Sequence, residues 1–502
     1  MPPKEAYDWL KAHHVETSVL ESMGALLHWD QSTMMPGAGH GHRSEQFAAL
    51  AKLTHERRSD PRIGDALAAC GGYWDERDPI GVEAANVREW MRAFERATKI
   101  PSDLAVALAR AASDGETAWK RARPDNDWKA FQPYLDELIR LRREEAEAVG
   151  YQGEPYDALL DEYEHGETAA TLEPMFRELR HEIVNLLDSI KGSSRAPDPS
   201  ILNNDYPTSA QKQFCRQVAQ AVGYDLKAGR LDATAHPFST RIGPGDVRIT
   251  TRYNEHNLSE ALFGTIHEAG HAMYSQGLPA EHFGTPSGVS VSLGIHESQS
   301  RLWENLVGHS AGFWRHFFPQ ARDFFPCLKD VSESAFLFAV NEVQPTLIRV
   351  EADEVTYNLH VMLRFELELA LLRGDLSTTD LPAAWDEKMR DFLGITPPDF
   401  AQGVMQDVHW SAGLIGYFPT YSLGNLYAAQ LFEAASKALG DIESQFERGN
   451  FSPLLSWLRE NVHIWGSRMA PRELVRKATG YEPDSGALIR GLKSKYAQLY
   501  GI

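Results

Sequence analysis

The chain is short of several things, and each shortage excludes something. Only three cysteines, Cys70, Cys215 and Cys327, occur in 502 residues, widely separated and with no CxxC pair. They make no disulfide framework of the kind small secreted proteins use, and they predict a reducing, cytoplasmic setting. Long apolar runs are missing as well. The purest, "AFLFAV" at 335–340, falls far below the roughly 20 residues a helix needs to cross a bilayer. The first twenty residues, "MPPKEAYDWLKAHHVETSVL", mix acids, bases and histidines, so no signal peptide is expected. Basic residues are outnumbered, 50 against 70, for a net charge of −20. Such a surface repels phosphate backbones and anionic lipid, which argues against nucleic-acid and membrane partners.

Internal repeats and low-complexity tracts are also absent, and strand signals are few. Most segments carry apolar residues three and four apart between charges, the spacing of helices. Residues 127–150 ("DWKAFQPYLDELIRLRREEAEAVG") and 172–190 ("LEPMFRELRHEIVNLLDSI") are examples, the first ending at Gly150. Periodic stretches recur at 300–318, 334–343, 346–373 and 424–439. One stretch differs: "HPFSTRIGPGDVRITTRYNEHN" at 236–257 alternates β-branched and polar residues around Gly243-Pro244-Gly245, which predicts a hairpin. The expected class is mainly α, with a small sheet just before the helix discussed next. Length alone would allow several domains, but no linker long enough to establish two is present. The chain reads as one unit, 1–502, which the loop "KGSSRAPDPS" at 191–200 subdivides into an N-terminal helical part, 1–200, and a catalytic part, 201–502.

That helix is "NLSEALFGTIHEAGHAMYSQGLP", 257–279. Asn257 is a fitting N-cap with Glu260 three residues on, and Gly277 and Pro279 end it. Leu262, Phe263, Ile266 and Met273 supply an apolar face. His267 and His271, four apart, project from one face at neighbouring turns and can reach one tetrahedral ion, with Glu268 beside them to act on water. Gly270 leaves room there at a cost in helix propensity. A surface helix with two solvated histidines is the plain alternative. A third ligand is offered by "SLGIHESQSRLWENLVG" (292–308), where Ser292 can cap a second helix running through Leu302 and Leu306 and carrying His296 and Glu297 in its first turns. Two helices joined so closely can bring Glu297 onto the histidine pair, completing the His₂Glu set of zinc peptidases. An exposed Glu297 paired with Arg301 is the alternative.

Ordered motifs extend this pattern. "HPF" (236–238), "DVRIT" (246–250), "HEAGH" (267–271), "HESQ" (296–299), "IRVEAD" (348–353) and "GVMQDVHW" (403–410) follow one another, flanked by "LHWDQSTMMP" (27–36) and "GYFPTYSLGN" (416–425). In these the chain resembles the carboxypeptidase Taq family of metallocarboxypeptidases from about residue 15 onward, with no departure at a motif position. The resemblance implies a large helical metallopeptidase fold with a deep substrate groove, similar in kind to neurolysin and angiotensin-converting enzyme. It implies release of single residues from peptides with a free C-terminus, broad specificity with C-terminal proline disfavoured, one divalent metal ion per chain, and a homodimer. By motif position it makes His267, His271 and Glu297 the metal ligands and Glu268 the catalytic carboxylate. Zinc suits that set best, while cobalt and manganese accept the same ligands.

The chemistry then needs a second donor for the oxyanion, for which His409 and Tyr421 are candidates and Tyr417 an alternate. Core packing is the plain reading of the aromatic run around them, and the preferred one for Trp410 and Phe418. Recognition of a C-terminal carboxylate needs a planar fork of donors. Arg349 is the first candidate by family position and Arg248 the second. Asp353, four residues after Arg349, would hold that side chain if both lay on one helix, or simply pair with it. Residues 247–253 could also pair with an extended substrate backbone. Two rival readings are an endo-oligopeptidase or dipeptidyl carboxypeptidase on the same scaffold, and an inactive peptide-binding scaffold.

Overall fold

The computed structural model describes residues 1–73 and 78–502. It is mainly helical. The elements that build the site are α1 (Pro3–Thr33), α2 (Leu258–Gly277), α3 (Leu293–Arg301), α4 (Tyr357–Arg373) and α5 (Pro419–Leu439). A sheet of β1 (Leu231–Ala233), β2 (Ser239–Gly243) and β3 (Asp246–Thr251) precedes α2. The expected hairpin is present: β2 and β3 pair antiparallel around Gly245, whose φ of 81° suits the turn. What the alternation did not reveal is β1, which pairs with β3 in parallel, giving the order β1-β3-β2. β3 is therefore the central strand. Residues 247–251 spend their backbone groups on the two neighbouring strands, so this stretch is not the free edge that substrate pairing would need.

The period-2 pattern in β3 has a clear use. Val247 and Ile249 are buried, and the Thr251 hydroxyl donates to the Ala261 carbonyl of α2 at 3.1 Å. The sheet thus fixes the first turns of α2. The larger hydrophobic core runs from Ala122 to Tyr500 and includes residues of α2, α3, α4 and α5. The helices Trp128–Val149 and Ala169–Lys191 pack into that same core. A smaller cluster joins Tyr7 and Leu10 of α1 to Leu67, Val87 and Trp90.

Two stretches are less continuously helical than their periodicity predicts. The pattern over 346–373 is helical only from Tyr357; Arg349–Glu351 form a single 3₁₀ turn. Asp353 is the reason, because its carboxylate accepts the backbone N–H groups of Val355, Thr356 and Gln344 and the Thr356 hydroxyl. A side chain that ties up local backbone donors competes with continuation of the helix. The 300–318 stretch is α-helical to Arg301, a π turn over Leu302–Gly308, and a new helix, Ala311–Phe324, capped by Ser310. Among the described residues no helix is long and apolar enough to cross a membrane.

Candidate metal centre and active site

Both predicted caps form. The Asn257 side chain accepts from Glu260 N–H, and Ser292 accepts from Ile295 N–H. Glu260 does not reciprocate as in a full capping box; its carboxylate pairs with Arg252. α2 is far from a surface helix: Leu262, Phe263, Ile266 and Met273 are buried, and so are Ala261, Ala269, Ala272 and Tyr274 on its other sides. The reading of two solvated histidines is excluded by this burial. Gly270 explains how α3 comes so near, since a Cβ there would lie 2.6 Å from the Gln299 carbonyl oxygen and 2.7 Å from Ser300 Cα.

That approach brings three donors together. The ligand atoms of His267, His271 and Glu297 all lie within 4.8 Å of one another. Glu297 Oε2 stands 3.8 Å from His267 Nε2 and 3.5 Å from His271 Nε2. Both Nε2 atoms are free to ligate because the other ring nitrogens are engaged. His267 Nδ1 bonds Glu304 Oε2 at 2.7 Å, and His271 Nδ1 bonds the His296 carbonyl at 3.0 Å. Hydrogen bonds of this kind fix the tautomer that a metal requires. Glu297 is buried, 8 % exposed, and does pair with Arg301, through Oε1 at 2.8 Å. Glu297 is therefore not the exposed side chain of the alternative reading; only its pairing with Arg301 is present, through the oxygen turned away from the histidines.

The electrostatics also call for a cation. With both histidines neutral, as ligation requires, ionised Glu268, Glu297 and Glu304 outweigh Arg301 by two negative charges, which a divalent ion neutralises. Burial disfavours a charged His267, yet the carboxylates of Glu304 and Glu297 outweigh that penalty and raise its pKa to about 9. Burial likewise opposes the anion of Glu297, but Arg301 and His267 hold its pKa well below the usual range. Glu268 moves the other way, raised by burial against the pull of both histidines. A raised carboxylate pKa suits a group that must take up and release a proton. The donor set and its charge fit one divalent ion.

The sequence pattern of the Carboxypeptidase Taq (M32) metallopeptidase family matches residues 9–496. The chain belongs to this family. It is similar to thermostable carboxypeptidase 1 of Thermus thermophilus, at 56% identity over 510 residues and 100% of both chains. It is also similar to carboxypeptidase 1 of Bacillus subtilis, at 39% identity over 99% of this chain and 98% of that one. Among solved structures, an M32 carboxypeptidase from Deinococcus radiodurans superposes with a TM-score of 0.95 at 41% identity, covering 99% of this chain and 100% of that one. The protein is a metallocarboxypeptidase, and peptides are its substrate class.

In this carboxypeptidase the remaining candidates fall into two places. Gly424 of α5 sits against Glu297, where a Cβ would lie 2.6 Å from its Cγ. One turn earlier, Tyr421 bonds His409 Nε2 at 3.2 Å, and Tyr417 packs edge-on against Tyr421. Both tyrosines lie close enough for the Glu297 charge to help raise their pKa values, after burial, the larger cause. Burial lowers the pKa of His409 to about 4, so its ring is neutral near pH 7. Trp410 and Phe418 are buried, as the packing reading expects. The Arg349 guanidinium lies 4.9 Å from the Tyr421 ring centre, in the same neighbourhood.

The partner of Arg349 differs from the one expected. Asp353 is occupied with backbone donors, and Arg349 instead donates through Nε and Nη2 to Asp407 Oδ1, at 3.2 and 2.8 Å, and through Nη1 to the Tyr357 hydroxyl at 3.0 Å. Asp407 Oδ2 also receives Arg364 Nε at 2.7 Å. Arg248 is elsewhere. Asp246 holds its guanidinium, which lies 4.2 Å from the Trp29 ring centre of α1. Sequence reasoning assigned no role to Glu304, Tyr357, Asp407 or Arg364. Glu304 stands in the π turn that follows Arg301, where an α-helical period gives no signal of its partner, and Asp407 stands inside the "QDVHW" stretch. Arg364 and Tyr357 carried no local signal.

Proposed function

We propose that this enzyme trims peptides one residue at a time from a free C-terminus, with broad tolerance of side chains and poor cleavage at terminal proline. The observation that carries the C-terminal recognition is the cluster of buried Arg349 and Arg364 with part-buried Asp407, beside Tyr421 and His409, where two guanidiniums face one carboxylate; the side-chain tolerance and the poor cleavage at proline rest on family likeness. One positive charge is left unbalanced away from water. Arg349 has three of its five N–H groups donated, and the remaining two, one on each terminal nitrogen, are the number a carboxylate takes. Arg248, held by Asp246 against Trp29 of α1 and away from Tyr421 and His409, is the weaker candidate for that clamp.

His267, His271 and Glu297 are the residues to hold the ion, and three single-atom ligands of this type favour zinc. When bound, the ion supplies Lewis-acid polarisation of the scissile carbonyl and acidifies water. Glu268 takes the proton of the attacking water and delivers it to the leaving amine. The neutral His409 ring and the Tyr421 hydroxyl, bonded to each other at 3.2 Å, are the groups to stabilise the carbonyl oxygen as it gains charge; Tyr417 is the alternate donor. Family likeness supports a homodimer, and three free cysteines support a cytoplasmic setting.

The test is mass spectrometry of a decapeptide digest, with free-acid and amidated C-termini. Ladders of single-residue losses from the free acid alone are expected, and R349A should lose that activity without affecting any residual cleavage of the amide. Internal or two-residue cuts would favour an endo-oligopeptidase or dipeptidyl carboxypeptidase, and equal loss on both substrates would remove the clamp role from Arg349.

A further inference from the structure

The two oxygens of Glu297 face different partners. Oε2 is turned to the histidine pair and also accepts the Ser300 hydroxyl at 3.1 Å. Oε1 receives Arg301 Nε at 2.8 Å. Arg301 then donates from Nη1 to Glu304 Oε2 at 3.2 Å, and the same Glu304 oxygen takes His267 Nδ1 at 2.7 Å. A ring of charge-assisted bonds thus starts at one ligand, Glu297, and closes on another, His267. Its members are buried or nearly so, with side-chain exposures of 10 % for Glu297, 13 % for Arg301 and 17 % for Glu304. The face of Arg301 is pinned as well, 4.1 Å from the ring centre of Tyr357. The chain turns from α- to π-helix immediately after Arg301, and such single-turn insertions often serve to re-aim side chains at functional sites.

A carboxylate can give a metal one oxygen or two. Here the second oxygen is engaged in a short bond to a guanidinium, and freeing it would leave a buried charge unpaired. We propose that Arg301 is a positioning residue that confines Glu297 to one-oxygen ligation, so that three protein atoms and one open position define the coordination, and that Glu304 locks the His267 tautomer facing it. The ring then sets metal preference. Ions content with four ligands, zinc and cobalt, are favoured over manganese, which takes more oxygen donors. This rests on His267, His271 and Glu297 being the ligand set.

The probe is the full-length protein loaded with cobalt(II), read by its visible absorption, together with zinc and manganese affinities from competition with a chromophoric chelator. Wild type should bind one cobalt with the intense bands of four-coordination. In R301Q the released Oε1 should join the ion, weakening the bands and lowering the zinc-over-manganese preference about tenfold or more. E304Q should keep the band shape but bind each metal about 10- to 100-fold more weakly, the usual size of such outer-shell effects. R301K, which keeps the charge without the fork, supplies the same reading if R301Q does not fold. Unchanged bands and metal preference in the Arg301 variants, or weak six-coordinate bands in wild type, would overturn the proposal. Failure of the ligand set itself looks different: H271A would then bind cobalt as tightly as wild type.

Discussion

Gly270→Ala separates two expectations cleanly. Helix propensity alone says that alanine in the middle of α2 should stabilise the protein by about 1 kcal/mol. The packing says otherwise. A Cβ at this position would stand 2.6 Å from the Gln299 carbonyl oxygen and 2.7 Å from Ser300 Cα, and both are backbone atoms of α3 that cannot swing aside. Restoring an ordinary contact requires α2 and α3 to part by roughly 0.8 Å. Overpacking of that kind costs about 1–3 kcal/mol, so the propensity gain is cancelled or exceeded. The functional effect should be larger than the effect on stability. Gln299 is two residues from Glu297, and a metal site tolerates displacements of only about 0.2 Å in its ligand distances. G270A should therefore weaken zinc binding about tenfold or more, with metal-free stability unchanged or lowered. Chelator-competition titration measures the first and thermal unfolding of the metal-free protein the second. A metal-free protein that melts higher than wild type while binding zinc with unchanged affinity would refute the argument that Gly270 sets the distance from the histidines to Glu297.

Gly424→Ala presses on Glu297 itself, with the new Cβ 2.6 Å from its Cγ, 2.7 Å from its Cβ and 3.3 Å from its backbone carbonyl carbon. It should reduce activity and metal affinity and lower the melting temperature, through about 1–3 kcal/mol of overpacking, and intact metal affinity would contradict this. Glu164 is wholly buried, accepts Ser292 Oγ and Gly294 N–H at the start of α3, and is pushed up to about 8 by burial. Between its ordinary value of 4.5 and about 8 the folded protein holds a proton that the unfolded chain releases. Stability should then fall as pH rises through that window, by at most about 1.4 kcal/mol per pH unit, and E164Q should flatten the decline in melting temperature between pH 5 and 8. Parallel curves for the two proteins would exclude this role. Chelation should abolish peptide hydrolysis and lower the melting temperature, because the ion binds the folded state; at free metal a thousandfold above Kd the difference is about 4 kcal/mol. Recovery of both on adding zinc back is the check.

The sequence by itself carried most of what depends on residues close together in the chain. Asn257 and Ser292 announced two helix starts. The four-residue spacing of His267 and His271 put both rings on one face, and the alternation around Gly243-Pro244-Gly245 announced β2 and β3. The ordered motifs added Glu297 and the family. Tertiary structure decided what depends on partners far apart. Arg349 pairs with Asp407, 58 positions away, because the nearer Asp353 is consumed by backbone donors, which no helical spacing reveals. β1 joins β3 in parallel through a connection with no pattern of its own, and that makes β3 a central strand. The π turn after Arg301 places Glu304 on His267, a change of helical phase that a 3.6-residue period hides. Hydrophobic and capping patterns are local and leave a periodic trace. The links that close the metal centre, Glu304 to His267 and Glu297 to the histidine pair, cross from one helix to another through single contacts, and single contacts leave none.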